Sequence, residues 1–475
     1  MKEQVVRLQS IEIKNIKNVN KGKVDMPKAL NKELNYNSAE VLGIYGQNGS
    51  GKTAIIDALQ FIWRLMTGRN ITTRFYDYID VNSSTAEIKT KYAVFFLDVK
   101  YEVTHDICFR RTEDRKVVIT KESLSAAEIN ATERKNNATF ICYTRDSKAV
   151  FTPKTRYDEL IKLNEENAIN LIVAKRMSEK SNCSYIFSDN SREILIPHDS
   201  EENEKNGKRI WPYSRIINAL YIFAVRDLFV IPSSHTGVIS ANIALPMAFR
   251  LDDIGKKSGI KGNFYVSLRE PTLLDEEQVL VLHRIVEDIN IVLPTIIPGL
   301  RIEDRDLGKQ TTEDGEEGYK TELLSVREGM KPFPIRMESE GIIKIISMLN
   351  ALIQAFGNPS ICLVIDELDA GIFEYMLGEL LDIFNKSAKG QLIFTSHNLR
   401  ALEMLSKDSI IFSTANPNKR YIRIKNVKKT NNLRDVYIRT ITLGGCSEKL
   451  YAETDSLKIA RAFRKAGRRN RIGNE

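Results

Sequence analysis

The octapeptide Gly46-Gln47-Asn48-Gly49-Ser50-Gly51-Lys52-Thr53 constrains this chain more than any other stretch. It satisfies the pattern G-x-x-x-x-G-K-[ST]. An apolar run, residues 41–45, precedes it, and a helix-patterned segment, residues 53–66, follows. Strand, glycine-rich turn and helix in that order predict a nucleotide-binding α/β core. Successive backbone N–H groups can curl around a phosphate only where no Cβ obstructs the approach, so Gly46, Asn48, Gly49, Ser50 and Gly51 form the predicted cradle. Lys52 is the predicted point charge for the β- and γ-phosphates, and the Thr53 hydroxyl the predicted Mg²⁺ ligand. The helix N-terminus behind the loop adds partial positive charge.

The rest of the composition narrows the class. With 475 residues, 42% hydrophobic and 28% charged, the chain can bury a substantial core. It contains no apolar run approaching a membrane span, and MKEQVVRLQS lacks a signal-peptide core. Its five cysteines are scattered and never in C-x-x-C spacing, which points to a reducing compartment and against a structural zinc site. The expectation is a cytoplasmic protein with no membrane partner. The net charge of +8 is uneven: residues 416–475 carry 16 Lys/Arg against 5 Asp/Glu, a local +11. That basic C-terminal segment reads either as a solvated tail or as a contact for nucleic acid or an acidic partner.

Residues 5–19 alternate like a strand. Segments 87–103 and 106–120 predict an antiparallel β unit broken at Thr104-His105-Asp106. Helical spacing runs over residues 158–177, 216–228, 273–293 and 342–356, with residues 178–206 loop-like. Residues 228–237 read as a strand entering a Pro/Ser/Gly turn, and residues 319–337 as a hairpin around Glu328-Gly329-Met330. Residues 359–366 and 391–395 read as strands, residues 373–386 and 399–405 as helices. No heptad run is long enough for a coiled coil.

Beyond the P-loop, four constellations carry chemistry. Ile361–Ile365 is apolar and ends in Asp366 and Glu367, a Walker B strand in a P-loop enzyme. Asp366 is then the predicted metal ligand, and Glu367 the group that orients or deprotonates an attacking water. Leu368-Asp369-Ala370-Gly371 follows directly, and residues 391–398 end a strand at His397. Upstream, Met337-Glu338-Ser339-Glu340-Gly341 opens the apolar helix. Ser339 and Gly341 there predict a helix N-terminus aimed at an anion; Ser339 with Glu340 reads equally as an N-cap with a first-turn acid.

In this order the motifs resemble an ABC-type ATPase head of the SMC/RecF/OLD-related group. The sequence is most similar to the ATPase subunits of bacterial phage-defence systems of the AbiL, Septu and PARIS class, through ESEG, VIDELDAGI, TSHN and the VIPSS turn. The opening IEIKNIKNV, with Lys17 where that group places a basic residue, is similar as well. The resemblance implies an α/β fold: a mixed core sheet flanked by helices, an antiparallel β subdomain, and an inserted mainly helical region. It divides the chain into an N-terminal lobe (1–120), an insertion (121–318), a C-terminal lobe (319–415) and the basic segment (416–475).

The same resemblance implies ATP and Mg²⁺ as cofactors and a homodimer or higher oligomer with composite sites. Lys52, Thr53, Asp366 and Glu367 then come from one protomer, Ser339 and Gly341 from its partner. Asp369 positions the partner's elements, and His397 reports the γ-phosphate. The implied function is a slow, regulatory ATPase that controls a separate nuclease-type effector in anti-phage defence. A DNA-repair or chromosome-maintenance ATPase of RecF/SMC type is the alternative. Two departures stand out. No glutamine lies between Gln60 and Gln278 to serve as a Q-loop, so either a polar residue near Ser233–His235 takes that role or the coupling differs. And no D-x-D pair follows His397, so the chain is not expected to be a nuclease itself.

Overall fold

The computed structural model describes residues 4–29, 36–96, 99–129, 136–196, 211–251, 260–311, 317–424, 432–443, 448–450 and 455–472. Two six-stranded sheets organise it. The first is antiparallel and built from β1 (Val5–Ile16), β2 (Val19–Asp25), β4 (Thr85–Phe95), β5 (Lys100–Arg111), β6 (Val117–Ile129) and β7 (Ala138–Thr144), in the order β2-β1-β4-β5-β6-β7. The second, the core sheet, combines β3 (Glu40–Tyr45), β8 (Leu228–Ile231), β15 (Cys362–Ile365), β16 (Gln391–Ser396), β17 (Ile410–Ser413) and β18 (Tyr421–Ile422). Its order is β18-β17-β3-β16-β15-β8, parallel throughout except for the β17–β18 pair.

The core strands are buried on both faces, as parallel strands covered on each side must be. Leu42, Ile44, Cys362, Val364 and Ile393 point into one apolar cluster, shared with α1 (Lys52–Met66) and the antiparallel sheet. Val41, Tyr45, Leu363, Ile365, Leu392 and Phe394 point into the other. The alternation is the two-residue period of a strand read directly in burial.

Helices α2 (Lys154–Leu163), α3 (Asn167–Ser181), α4 (Asp189–Leu195) and α5 (Trp211–Ile222) complete the first cluster. A π-helical turn, Phe223–Asp227, then delivers the chain to β8. Helix α6 (Ser233–Ser240) and the hairpin β9 (Ala244–Leu251) and β10 (Ile260–Ser267) follow. Beyond them, β11 (Thr272–Leu274), β12 (Arg301–Thr311), β13 (Glu317–Val326) and β14 (Phe333–Pro334) make a small sheet around α7 (Glu276–Ile296). Helix α8 (Glu340–Gly357) runs through the second cluster, with α9 (Glu374–Ser387) and α10 (Ala401–Met404) nearby. The chain closes with α11 (Leu433–Leu443) and α12 (Ser456–Ile472). Helix α8 is also the one described helix long and apolar enough to cross a membrane, and 61% of it is buried inside the fold.

This is the expected α/β fold class: a mixed core sheet, flanking helices and an antiparallel β subdomain. Several local expectations need correction. The β unit has three strands, 85–95, 100–111 and 117–129, with no break at Thr104–Asp106. His105 sits inside β5 because its Nε2 meets the Glu122 carboxylate at 3.0 Å and both side chains are fully buried. The helix read over residues 158–177 is two helices, and residues 189–195, read as loop, are helical. Leu273 and Leu274 belong to β11, and α7 starts at Glu276 behind a capping box of Asp275 and Gln278. Cys108, Cys142, Cys183 and Cys362 are free thiols; Cys446 lies outside the described residues.

Candidate nucleotide site

Parallel register gathers the site at one edge of the core sheet. Tyr45 aligns with Ser396 and Phe412, and Ile365 with Phe394 and Ile231, so the loops after β3, β8, β15 and β16 emerge together. Ligands of open α/β sheets bind at that carboxyl edge. A cavity of about 400 Å³ opens there, lined by Lys17, Asn18, Asn48, Gly49, Gly51, Lys52, Thr53, Ala54, Asp366, Glu367, Thr395 and His397.

The P-loop is held from behind. A Cβ on Gly46 would lie 2.0 Å from Ser413 Oγ, so only glycine lets β17 pack against the loop. Ser50 is buried, donates to the Gln47 carbonyl at 2.6 Å and shares a hydrogen bond with Ser413. Gly46 and Ser50 therefore shape the loop, while Asn48, Gly49, Gly51, Lys52 and Thr53 face the cavity. The Tyr421 hydroxyl donates to the Gly51 carbonyl at 2.6 Å, so β18, within the segment read as a basic tail, braces the loop.

Lys52 is buried, and its ammonium donates to the carbonyls of Gly46 (2.9 Å) and Gln47 (3.2 Å). Burial lowers its pKa, and the carboxylates of Asp366, Glu367 and Asp369 oppose that shift. Asp366 is 2% exposed. Its Oδ1 accepts from the Thr395 hydroxyl at 2.6 Å and lies 3.5 Å from the Thr53 hydroxyl, whereas its Oδ2 is buried without a hydrogen-bond partner. A buried, unpaired carboxylate oxygen is expensive unless a cation meets it. Asp366 with Thr53 is a hard-oxygen pair suited to Mg²⁺.

Glu367 lies in the left-handed backbone region at φ +53°, and its N–H donates to Thr395 Oγ1 at 2.7 Å. Asp369 Oδ2 accepts from the His397 N–H at 2.9 Å, tying the loop after β15 to the end of β16. The His397 side chain is accessible at the cavity. Partial desolvation lowers its pKa, Lys52 adding to the shift and the three carboxylates opposing it, so the ring is neutral at pH 7. Lys17 reaches the cavity, but its ammonium pairs with Asp57 on α1 and stacks 5.1 Å over the Tyr78 ring.

Ser339 and Gly341 lie elsewhere. Ser339 is the exposed N-cap of α8, its Oγ accepting a long 3.5 Å bond from the Ile342 N–H. Neither residue lines the cavity of its own chain. Gly341 is buried against the turn after β15, where a Cβ would stand 2.0 Å from the Gly371 carbonyl oxygen. Residues Ser233–His235 open α6 directly after β8, whose Ile231 carbonyl accepts from the Asp366 N–H at 2.9 Å. They too are absent from the cavity lining.

Three residues of this neighbourhood escaped the sequence reading. Asn18 lines the cavity and donates to the Gly49 carbonyl. Thr395 bridges Asp366 and Glu367. Lys344 reaches Glu367 from α8. The only trace of the first two was adjacency, Asn18 to Lys17 and Thr395 to the Ser-His pair. Lys344 left none.

A family model described as an AAA domain matches residues 10–224, a span that contains the P-loop. No curated protein matches the chain. Among solved structures, the SMC head domain of Pyrococcus furiosus, bound to the C-terminal domain of ScpA, is 14% identical with a TM-score of 0.39. That alignment covers 88% of this chain and 96% of that one. The SMC head domain of Thermotoga maritima is 13% identical with a TM-score of 0.33, covering 88% and 99%. The recombination mediator protein RecF with ATP is 11% identical with a TM-score of 0.32, covering 83% and 94%.

Proposed function

We propose that this chain is an ATP-binding and ATP-hydrolysing ABC-type ATPase subunit that dimerises around ATP. One observation carries the reading. Asp366, with one oxygen near Thr53 and the other buried and unpaired, lies in a cavity that also presents Lys52, Glu367 and His397, while Ser339 is an exposed helix N-cap outside that cavity. A phosphate-binding half-site and a separate outward helix N-terminus suit two chains closing on each other's nucleotide.

In this reading Lys52 and the backbone of residues 48–53 hold the phosphates of ATP. Mg²⁺, held by Thr53 and Asp366, supplies charge neutralisation of the phosphates. Glu367 takes the proton of the water that attacks the γ-phosphorus as the bond to the bridging oxygen breaks. His397 contacts the γ-phosphate, and Asp369 holds the His397 backbone. Ser339 and Gly341 of a second copy complete the site, and hydrolysis then loosens the pair. The output is association state, with slow turnover. A phosphate-release assay tests it: Lys52→Ala should lose ATP binding, and Glu367→Gln should bind ATP but release no phosphate. Phosphate release by Glu367→Gln at the wild-type rate would refute the assignment.

For the use of that cycle, we propose control of a separate nuclease-type effector in anti-phage defence, a reading supported by the ESEG, VIDELDAGI, TSHN and VIPSS resemblance. A RecF/SMC-like role on DNA has its own support in α12. That helix is exposed over Lys458, Arg461, Arg464 and Lys465, and its 17 residues carry seven Lys/Arg and no acid. ATP-dependent DNA binding that weakens steeply with salt would favour the second role. Co-purification with a neighbouring gene product and no DNA binding would favour the first.

A further inference from the structure

Lys344 lies on α8, five residues past Ser339, and is 5% exposed. Its ammonium donates to the carbonyl of Glu367. A buried cation persists where its donors are used and its charge is balanced. Burial pushes the Lys344 pKa down to about 8, with the carboxylates of Asp369, Glu367 and Asp366 pulling upward.

The residue it touches is held in left-handed backbone. Left-handed backbone costs a residue with a Cβ about 1–2 kcal/mol, so the φ of +53° at Glu367 must be held by its surroundings. The Glu367 N–H is taken by Thr395 Oγ1 at 2.7 Å, and its carbonyl by Lys344 and by the Ala370 N–H at 3.1 Å. Helix α8 also meets the same turn where Gly341 lies against Gly371. Helix and acid turn are thus joined at two points, one by close backbone packing and one by a charged hydrogen bond.

We propose that Lys344 is a positioning residue, whose ammonium fixes the Glu367 backbone and so aims the Glu367 carboxylate into the nucleotide cavity. The proposal rests on the hydrolytic role assigned to Glu367 above. It gives α8 two ends in the chemistry: Ser339 presented outward and Lys344 gripping the acid of its own chain. A contact made at Ser339 is thereby felt at Glu367 of the same protomer.

The test compares ATP hydrolysis by wild type, Lys344→Met, Lys344→Arg, Glu367→Gln and the double variant Lys344→Met/Glu367→Gln. Methionine keeps length and burial and removes donor and charge; its kcat should fall about 30- to 100-fold with KM for ATP within about threefold, the pattern of a misaimed group. Arginine keeps a donor and should recover most of the rate. The double variant should bind ATP as tightly as Glu367→Gln alone, because the lysine acts only through that carboxylate. Wild-type kcat in Lys344→Met overturns the proposal, as does a loss of ATP affinity equal to the loss of kcat. Failure of both Lys344 variants to fold also overturns it, by assigning the lysine to structure alone. If Glu367→Gln itself hydrolyses ATP normally, the hydrolytic reading falls first; if Glu367→Gln is dead and Lys344→Met is normal, only the positioning role falls.

Discussion

Replacing Gly341 by alanine probes how the outward helix is seated. The new Cβ would stand 2.0 Å from the Gly371 carbonyl oxygen and 3.0 Å from its carbonyl carbon. Contacts under 3.0 Å are not tolerated, so helix and turn must separate by about 1 Å. The obstruction is backbone, which no rotamer change relieves. Overpacking of this kind costs about 1–3 kcal/mol, against about 0.5–1 kcal/mol gained from alanine's better helix propensity. The net expectation is a loss of up to about 2.5 kcal/mol. Gly357 closes the same helix with nothing within 4 Å of its ideal Cβ, so Gly357→Ala should show only the gain, about 0.5 kcal/mol. Urea denaturation followed by circular dichroism reads both variants, and the midpoints should move in opposite directions. ATP-dependent association should also weaken in Gly341→Ala, since Ser339 shifts with the helix start. A Gly341→Ala midpoint at or above that of Gly357→Ala would refute the reasoning.

Further outcomes follow from the same geometry. Thr395→Val strips the hydroxyl that bridges Asp366 and Glu367, and phosphate release should fall at least tenfold, with a stability loss of about 1–3 kcal/mol measured by urea titration. Gly46→Ala should abolish nucleotide binding, read by fluorescent-nucleotide titration, because its Cβ drives into Ser413. Lys261, whose ammonium donates to the Ala224 and Leu228 carbonyls and lies 4.7 Å from the Phe229 ring, has its pKa pushed down to about 7 by burial. The unfolded chain then holds an extra proton between pH 7 and 10.5, so stability should rise with pH through that window, with the penalty fully present below pH 7. In Lys261→Met that rise should flatten, as urea midpoints at pH 7 and pH 9.5 would show.

The P-loop, the Asp366-Glu367 pair, Asp369 and His397 were legible because each follows a buried strand within a few residues, where local pattern and chemistry coincide. The register that brings them together follows from parallel pairing of short apolar runs, which the sequence also displays. What was not legible depends on partners distant in the chain. The middle of β5 looked like a break because His105 and Asp106 are polar, yet Glu122 on the neighbouring strand hydrogen-bonds the buried histidine. Strand β12 passed unseen because residues 303–311 are charged or exposed along an edge, without the alternation that betrays a half-buried strand. Lys344 reads in sequence as an ordinary interruption of an apolar helix. Only the packing of α8 against the turn after β15 reveals that its ammonium lies on Glu367.

In the proposed function, nucleotide joins two copies of this chain. Sedimentation velocity of Glu367→Gln, with and without ATP and Mg²⁺, tests it most directly. The protein should be a monomer without nucleotide and a stable dimer or higher assembly with it, lost again in a Glu367→Gln/Lys52→Ala double variant. A Glu367→Gln protein that binds ATP and remains a monomer would contradict it.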